Sequence, residues 1–98
     1  MTTDFLIVGA GFTGLVAAER LTNAGFRCVV IDLRNHIGGN AHDYHDAAGV
    51  LIHRYGPHYF RTNSPWIIEY LSRFTEWLHV HYIIKSHSGG RYWSFPIN

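Results

Sequence analysis

Along this chain the period of the apolar positions changes several times, and each change marks an element. Phe5, Leu6, Ile7 and Val8 form a short apolar run that ends in glycine, the pattern of a buried parallel strand feeding a tight turn. Over residues 13–24, Leu15, Ala18 and Leu21 recur at helical spacing, and the small Ala17 and Ala18 let such a helix lie close to a sheet. Gly25 is placed to end it. Cys28, Val29, Val30 and Ile31 are apolar and mostly β-branched, so a second buried strand is expected, closing at Asp32. Strand, helix and strand in this order make a βαβ unit.

Beyond Asp32 the regular pattern lapses. Residues 34–40 carry Gly38 and Gly39 and no periodicity, which predicts a loop, and the polar stretch 46–49 predicts a turn followed by a short strand over 50–53. Residues 55–63 are an aromatic, His-bearing loop broken by Gly56 and Pro57. Ser64 as N-cap and Pro65 at the first helical position then open a helix whose apolar stripe, Ile67, Tyr70, Leu71, Phe74 and Leu78, requires a partner surface. Residues 80–86 and 91–95 flank Ser88, Gly89 and Gly90, so the chain is expected to finish in a β-hairpin. No internal repeat or low-complexity linker divides it.

Composition narrows the function classes. The 98 residues carry eight Lys and Arg against seven Asp and Glu, a near-neutral balance that gives no electrostatic footprint for nucleic acid or an anionic membrane. A small-molecule partner fits better. A chain of this length supports one modest core, hence one compact unit. Cys28 is the single cysteine, which excludes an internal disulfide and suits a reducing compartment; its expected role is packing within a strand. The apolar run 5–10 is far too short to span a bilayer and has no basic leader, so a soluble, cytoplasmic protein is expected. The chain stops at Asn98 directly after Phe95, Pro96 and Ile97, with no polar tail, which suggests a longer parent.

Chemistry enters at the first turn. Gly9, Gly11 and Gly14 spell G-x-G-x-x-G after a predicted strand and at the opening of a predicted helix. The first glycine permits the turn, the second lets the backbone approach a pyrophosphate, and the third allows close packing of helix on strand. The helix N-terminus then offers N–H groups to phosphate. Asp32, at the end of the second strand, is placed to accept hydrogen bonds from an adenosine ribose. The βαβ unit by itself does not separate NAD from FAD, since both present adenosine and pyrophosphate to this turn.

The next loop does more. After Asp32 the chain reads Leu33, Arg34, Asn35, His36, Ile37, Gly38, Gly39, Asn40, a continuation that resembles the flavoprotein superfamily of amine oxidases and sugar mutases. Residues 34–41, then 52–63 (Ile-His-Arg-Tyr-Gly-Pro-His-Tyr-Phe-Arg-Thr-Asn), then 94–98 (Ser-Phe-Pro-Ile-Asn), closely resemble three blocks of the bacterial UDP-galactopyranose mutase family, in order and over the whole chain. The fold implied is α/β: a Rossmann-like FAD/NAD(P)-binding βαβ unit, with the helix and hairpin of residues 64–98 starting a mixed α+β substrate domain.

In that family FAD must be reduced. Its N5 attacks the anomeric carbon as UDP departs, the sugar ring opens on the resulting N5 adduct, and reclosure through another hydroxyl yields UDP-galactofuranose without net redox change. By resemblance, Gly9, Gly11, Thr13 and Gly14 line the FAD pyrophosphate and Asp32 the adenosine ribose. Leu33, Arg34, Gly39 and Asn40 complete the phosphate and ribityl side. Pro57 and His58 fall beside the isoalloxazine, where a backbone carbonyl accepts a hydrogen bond from the N5–H of reduced flavin, and with Arg61 they make up the catalytic positions. Phe95, Pro96 and Asn98 contribute to the uridine end of a cleft for a UDP-galactose-type nucleotide sugar. The full-length protein is compatible with a homo-oligomer. Three positions depart from the family: Asp32 stands where Glu is common, Pro57 where Ala or Gly is common, and Arg61 in place of a second His. The last adds a permanent charge that either aids anion binding or marks a divergent substrate.

Two other functional classes remain, a flavin oxidoreductase of the amine oxidase type and a non-catalytic truncated fragment that binds a nucleotide weakly. Eight histidines raise a metal reading, with His42 and His45, and His79 and His81, as the nearest pairs. No cysteine or carboxylate cluster completes a ligand set, so His79 and His81 are expected on one partly exposed strand face and no metal is assigned. Trp66, Tyr70, Phe74 and Trp77 are expected to serve packing, not base stacking.

Overall fold

In the computed structural model, which describes residues 2–96, the first element is β1 (Phe5–Val8), followed by α1 (Phe12–Asn23) and β2 (Cys28–Ile31). Strands β1 and β2 pair in parallel, Phe5 opposite Cys28 through Val8 opposite Ile31, with α1 as the crossover. This is the βαβ unit expected, and the chain is α/β. Asp4 and Arg27 fix its open end. The Asp4 carboxylate accepts the Arg27 N–H at 2.8 Å and its guanidinium at 2.9 and 3.0 Å. Helix α1 ends in a reciprocal pair of bonds, Phe26 N–H to the Leu21 carbonyl at 3.1 Å and Gly25 N–H to Thr22 at 3.0 Å. That motif needs a left-handed residue after the cap, which Gly25 supplies at φ +93°.

A short 3₁₀ turn (Gly39–Ala41) leads into β3 (Asp43–His45), which pairs antiparallel with β4 (Leu51–His53). Asp46 organises the connection by accepting the Ala48 and Val50 N–H groups, each at 2.9 Å. Strand β3 is not legible in the apolar pattern, because Asp43, Tyr44 and His45 show no alternation and pair only across the Asp46 turn.

Where composition suggests one compact unit, the residues form two, Met1–Phe60 and Arg61–Asn98. The second contains α2 (Pro65–Leu71) and the antiparallel hairpin of β5 (Ile84–Ser88) and β6 (Arg91–Phe95). Gly89 and Gly90, at φ +59° and +71°, form its two-residue turn, and two positive φ values match the twist of the flanking strands.

Three expectations need correction. The helix opened by Ser64 stops at Leu71 and not near Leu78. Phe74 N–H turns back to the Leu71 carbonyl at 3.0 Å and Arg73 to Tyr70 at 3.3 Å, a tightening that closes the last turn. Ile67, Tyr70 and Leu71 are half-buried whereas Phe74 and Leu78 lie in the open, so the stripe is helical only where it has something to cover. The hairpin's first strand starts at Ile84, which leaves His79 and His81 before it, their rings 5.1 Å apart edge to face. The strands of the βαβ unit are also less buried than their composition suggests. Ile7 turns toward α1 and is half-buried, but Leu6 and Val8 face away and are exposed. A parallel sheet is stable when both faces are covered, and a single crossover helix covers one. Among the described residues no helix is long and apolar enough to cross a membrane.

Candidate functional site

The glycine turn, the end of β2 and the loop before the 3₁₀ turn meet at Ala10, which is 4% exposed. Its N–H donates to Asp32 Oδ2 at 2.7 Å and its carbonyl accepts the Gly38 N–H at 2.8 Å. Gly9 N–H continues the sheet pattern to the Ile31 carbonyl at 2.7 Å. The other Asp32 oxygen accepts the Arg34 N–H at 2.8 Å. One carboxylate and one alanine peptide therefore clasp three segments of backbone.

Glycine is dictated here by crowding. A Cβ on Gly14 would lie 1.8 Å from the Gly9 carbonyl oxygen and 3.3 Å from Ile7 Cγ2, so helix and strand approach closely only without it. A Cβ on Gly39 would meet Gly11 Cα at 3.0 Å, which shows how near the two glycine loops come. Gly9 has open space around it but sits at φ +106°, where side chains are strained. Helix α1 starts at Gly11 with no side-chain cap, so the amides of its first turn have no partner from a capping residue.

Hydrogen bonds from the Ala10 amide first, and then the Arg34 amide, hold the Asp32 carboxyl below its ordinary value, with weaker help from the Arg34 and His36 charges against the opposing effect of burial. Asp32 is thus a carboxylate at neutral pH. Of its roughly four lone-pair sites two are engaged by backbone, leaving acceptors for a ligand hydroxyl. Arg34 Nη1 donates to Asn40 Oδ1 at 2.9 Å, and its guanidinium lies over the Tyr55 ring, 4.2 Å from the centroid. Leu33, between these residues, is fully exposed.

The structure thus gathers Gly9, Gly11, Gly14, Asp32, Arg34, Gly39 and Asn40 around one turn. Thr13 sits exposed in the first turn of α1, and an open groove of about 350 Å³ is lined by Val8, Gly9, Gly11, Phe12, Thr13 and Gly14 among others. Pro57 and His58 follow Tyr55 in the same unit. His58 Nδ1 donates to the Gly56 carbonyl at 2.8 Å, which leaves Nε2 as the ring nitrogen facing outward chemistry. In the second unit Arg61 Nη2 donates to the Tyr82 hydroxyl at 3.1 Å. Arg61, Phe95 and Pro96 line an open groove of about 490 Å³ with residues 80–84 and Ser94. Asn98 lies outside the described residues.

Sequence reasoning missed Ala10, Tyr55, His36 and His42. A small residue between two motif glycines is the one signal for Ala10, since both of its peptide groups must be reached by other segments. His36 stacks on His42 with ring centroids 3.8 Å apart, and its Nε2 meets the Tyr55 hydroxyl at 2.7 Å. Among the described residues no three His, Cys, Asp or Glu side chains gather as a metal set.

The chain is 38% identical over 96 residues to a probable UDP-galactopyranose mutase of Klebsiella pneumoniae, covering 97% of this chain and 25% of that protein. It is 44% identical over 80 residues to the UDP-galactopyranose mutase of Mycoplasma genitalium, covering 81% of this chain and 20% of the relative. A dTDP-fucopyranose mutase of Escherichia coli matches at 33% over 94 residues, 95% of this chain and 25% of the relative. The chain thus spans a quarter or less of the length of these relatives. Residues 7–74 match the model of the NAD(P)-binding Rossmann-like domain, more than half of the chain, and they contain the whole glycine clasp. The chain belongs to the NAD(P)-binding Rossmann-like domain family.

Proposed function

We propose that this chain is the dinucleotide-binding part of a cytoplasmic, FAD-dependent enzyme that interconverts UDP-galactopyranose and UDP-galactofuranose. The observation that carries the reading is the clasp at Ala10, which sets an uncapped helix start, a charged Asp32 with spare lone pairs and the Gly38-Gly39 loop around one small space. A dinucleotide needs these groups: amides for its pyrophosphate and an anionic acceptor for its ribose.

In this reading the backbone of Gly9, Gly11, Thr13 and Gly14 binds the pyrophosphate and Asp32 accepts the ribose hydroxyls. Leu33, Arg34, Gly39 and Asn40 face the phosphate and ribityl side. Asn40 spends its carbonyl on Arg34 and keeps its amide N–H groups to donate. Pro57, which lacks an N–H but retains its carbonyl, offers that carbonyl as hydrogen-bond acceptor to the N5–H of reduced flavin, and His58 lies next to it. When bound in reduced form, FAD supplies the nucleophilic nitrogen for the sugar's anomeric carbon. Arg61, Phe95, Pro96 and Asn98 belong to the substrate side that residues 64–98 begin, Arg61 offering a cation to the diphosphate.

The test uses the full-length parent. Conversion of UDP-galactofuranose to UDP-galactopyranose only after flavin reduction is expected. Substrate oxidation with peroxide release would instead assign an oxidase of the amine oxidase type, and turnover of a dTDP sugar alone would move the substrate class. The chain by itself is expected to retain little yellow chromophore through gel filtration, because its clasp covers only one end of the dinucleotide.

A further inference from the structure

The guanidinium of Arg34 lies over a residue that the glycine motif does not include. Three contacts fix this arginine: its N–H on Asp32 at 2.8 Å, its Nη1 on Asn40 at 2.9 Å, and its guanidinium carbon 4.2 Å from the centre of the Tyr55 ring. Tyr55 is itself held. His36 Nδ1 lies 3.0 Å from the Ile37 carbonyl, which only accepts, so Nδ1 carries the proton of the neutral ring. Nε2 then presents a lone pair, and the Tyr55 hydroxyl donates to it at 2.7 Å. The His36 ring is braced in turn by stacking on His42. Arg54 approaches the same tyrosine more distantly, at 5.7 Å.

We propose that Tyr55 is a positioning residue for Arg34, holding the guanidinium over its ring so that the remaining N–H groups are ordered in advance for an anion. The proposal rests on the reading above, in which that anion is the dinucleotide phosphate. A guanidinium stacks through its face and binds oxyanions through its edge, so the two contacts do not compete. An unrestrained arginine loses rotamer freedom when it captures a phosphate; one already stacked and hydrogen-bonded loses little, and affinity rises by that difference. His36 acts one step further out, by fixing the rotation of the tyrosine ring.

The test is FAD affinity of the full-length apoprotein, titrated by flavin fluorescence, with thermal unfolding of each apoprotein as the folding control. Tyr55→Leu and Arg34→Ala are each expected to weaken FAD binding by about tenfold, and the double variant by no more than Arg34→Ala alone. Tyr55→Phe and Tyr55→Trp, which keep a ring face, are expected to stay within about threefold of the parent. Raising salt should weaken FAD binding to the parent and to Tyr55→Phe more than to Arg34→Ala. If Arg34→Ala binds FAD as the parent does, the cofactor reading of Arg34 fails and takes the proposal with it. If Arg34→Ala is weakened but Tyr55→Leu is not, or if the two losses multiply in the double variant, positioning by Tyr55 alone is overturned. A Tyr55→Phe loss as large as that of Tyr55→Leu overturns it equally, since the hydroxyl and not the ring face would then matter.

Discussion

Glycine is used for one reason at the close contacts of Gly14 and Gly39 and for another at the hairpin turn. In the clasp, a side chain on Gly14 or Gly39 would collide with backbone, 1.8 Å from the Gly9 oxygen and 3.0 Å from Gly11 Cα. In the hairpin, Gly89 and Gly90 have positive φ and nothing within 4 Å of where a Cβ would stand. The first pair makes room for other chain segments; the second only lets the chain reverse. A glycine that makes room is tied to whatever the neighbouring segments do together, whereas one that only bends can be replaced at the cost of local strain.

The largest break in this comparison is Gly14→Ala. Backbone cannot retreat as a flexible side chain can, so the substitution is expected to destabilise the chain by about 3 kcal/mol, read from urea unfolding. Stability close to that of the parent would show that α1 can shift away from β1 at little cost. Asp32→Ala comes next and acts on function as well: FAD affinity of the full-length parent should drop about tenfold or more as both backbone donors lose their charged acceptor. The same carboxylate sets a pH dependence. Its pKa is depressed in the fold, so its stabilising contribution is complete above the ordinary carboxylate value and is lost as pH falls through the depressed one. Acid titration of the parent chain should therefore show a fall in stability that Asp32→Asn lacks; identical acid profiles would remove Asp32 from the clasp's energetics.

Smaller effects sharpen the contrast from the other side. Gly89→Ala should cost only about 1 kcal/mol, the strain of a left-handed alanine, and leave FAD binding unchanged in the full-length protein. An affinity change there would mean that the hairpin turn reports on the nucleotide site. Leu78→Ser, at a position 87% exposed in this chain, should change the free energy of unfolding by less than about 0.5 kcal/mol. A larger loss would restore the longer apolar stripe as a packed surface.

The same contrast explains what could be read from sequence. Residues 5–32 were legible because each local signal agreed with the others: β1 and β2 start and stop where the apolar runs do, Gly25 ends α1, and the glycines of the turn need no side chain to be interpreted. The Asp32 position was legible too, but its bond to Ala10 was not, since that bond joins residues 22 apart through a main-chain N–H that every residue type except proline carries. Residues 64–96 carried strong periodicity and yielded poorer boundaries. Phe74, Leu78 and residues 80–83 are apolar enough to predict helix and strand, but elements of that length need a surface to pack against, and these side chains lie exposed. Tyr55 escaped notice because a tyrosine next to Gly56 and Pro57 looks like an ordinary loop aromatic until Arg34 is found over its face.

Ala10 joins the carboxylate of Asp32 to the amide of Gly38 through its own N–H and carbonyl. The 32 end of this link therefore depends on which side chain stands there, whereas the 38 end needs only an amide N–H in place. A combinatorial library that leaves 10, 32 and 38 untouched while randomising Leu33, Asn35 and Ile37 would explore nucleotide preference on an intact scaffold.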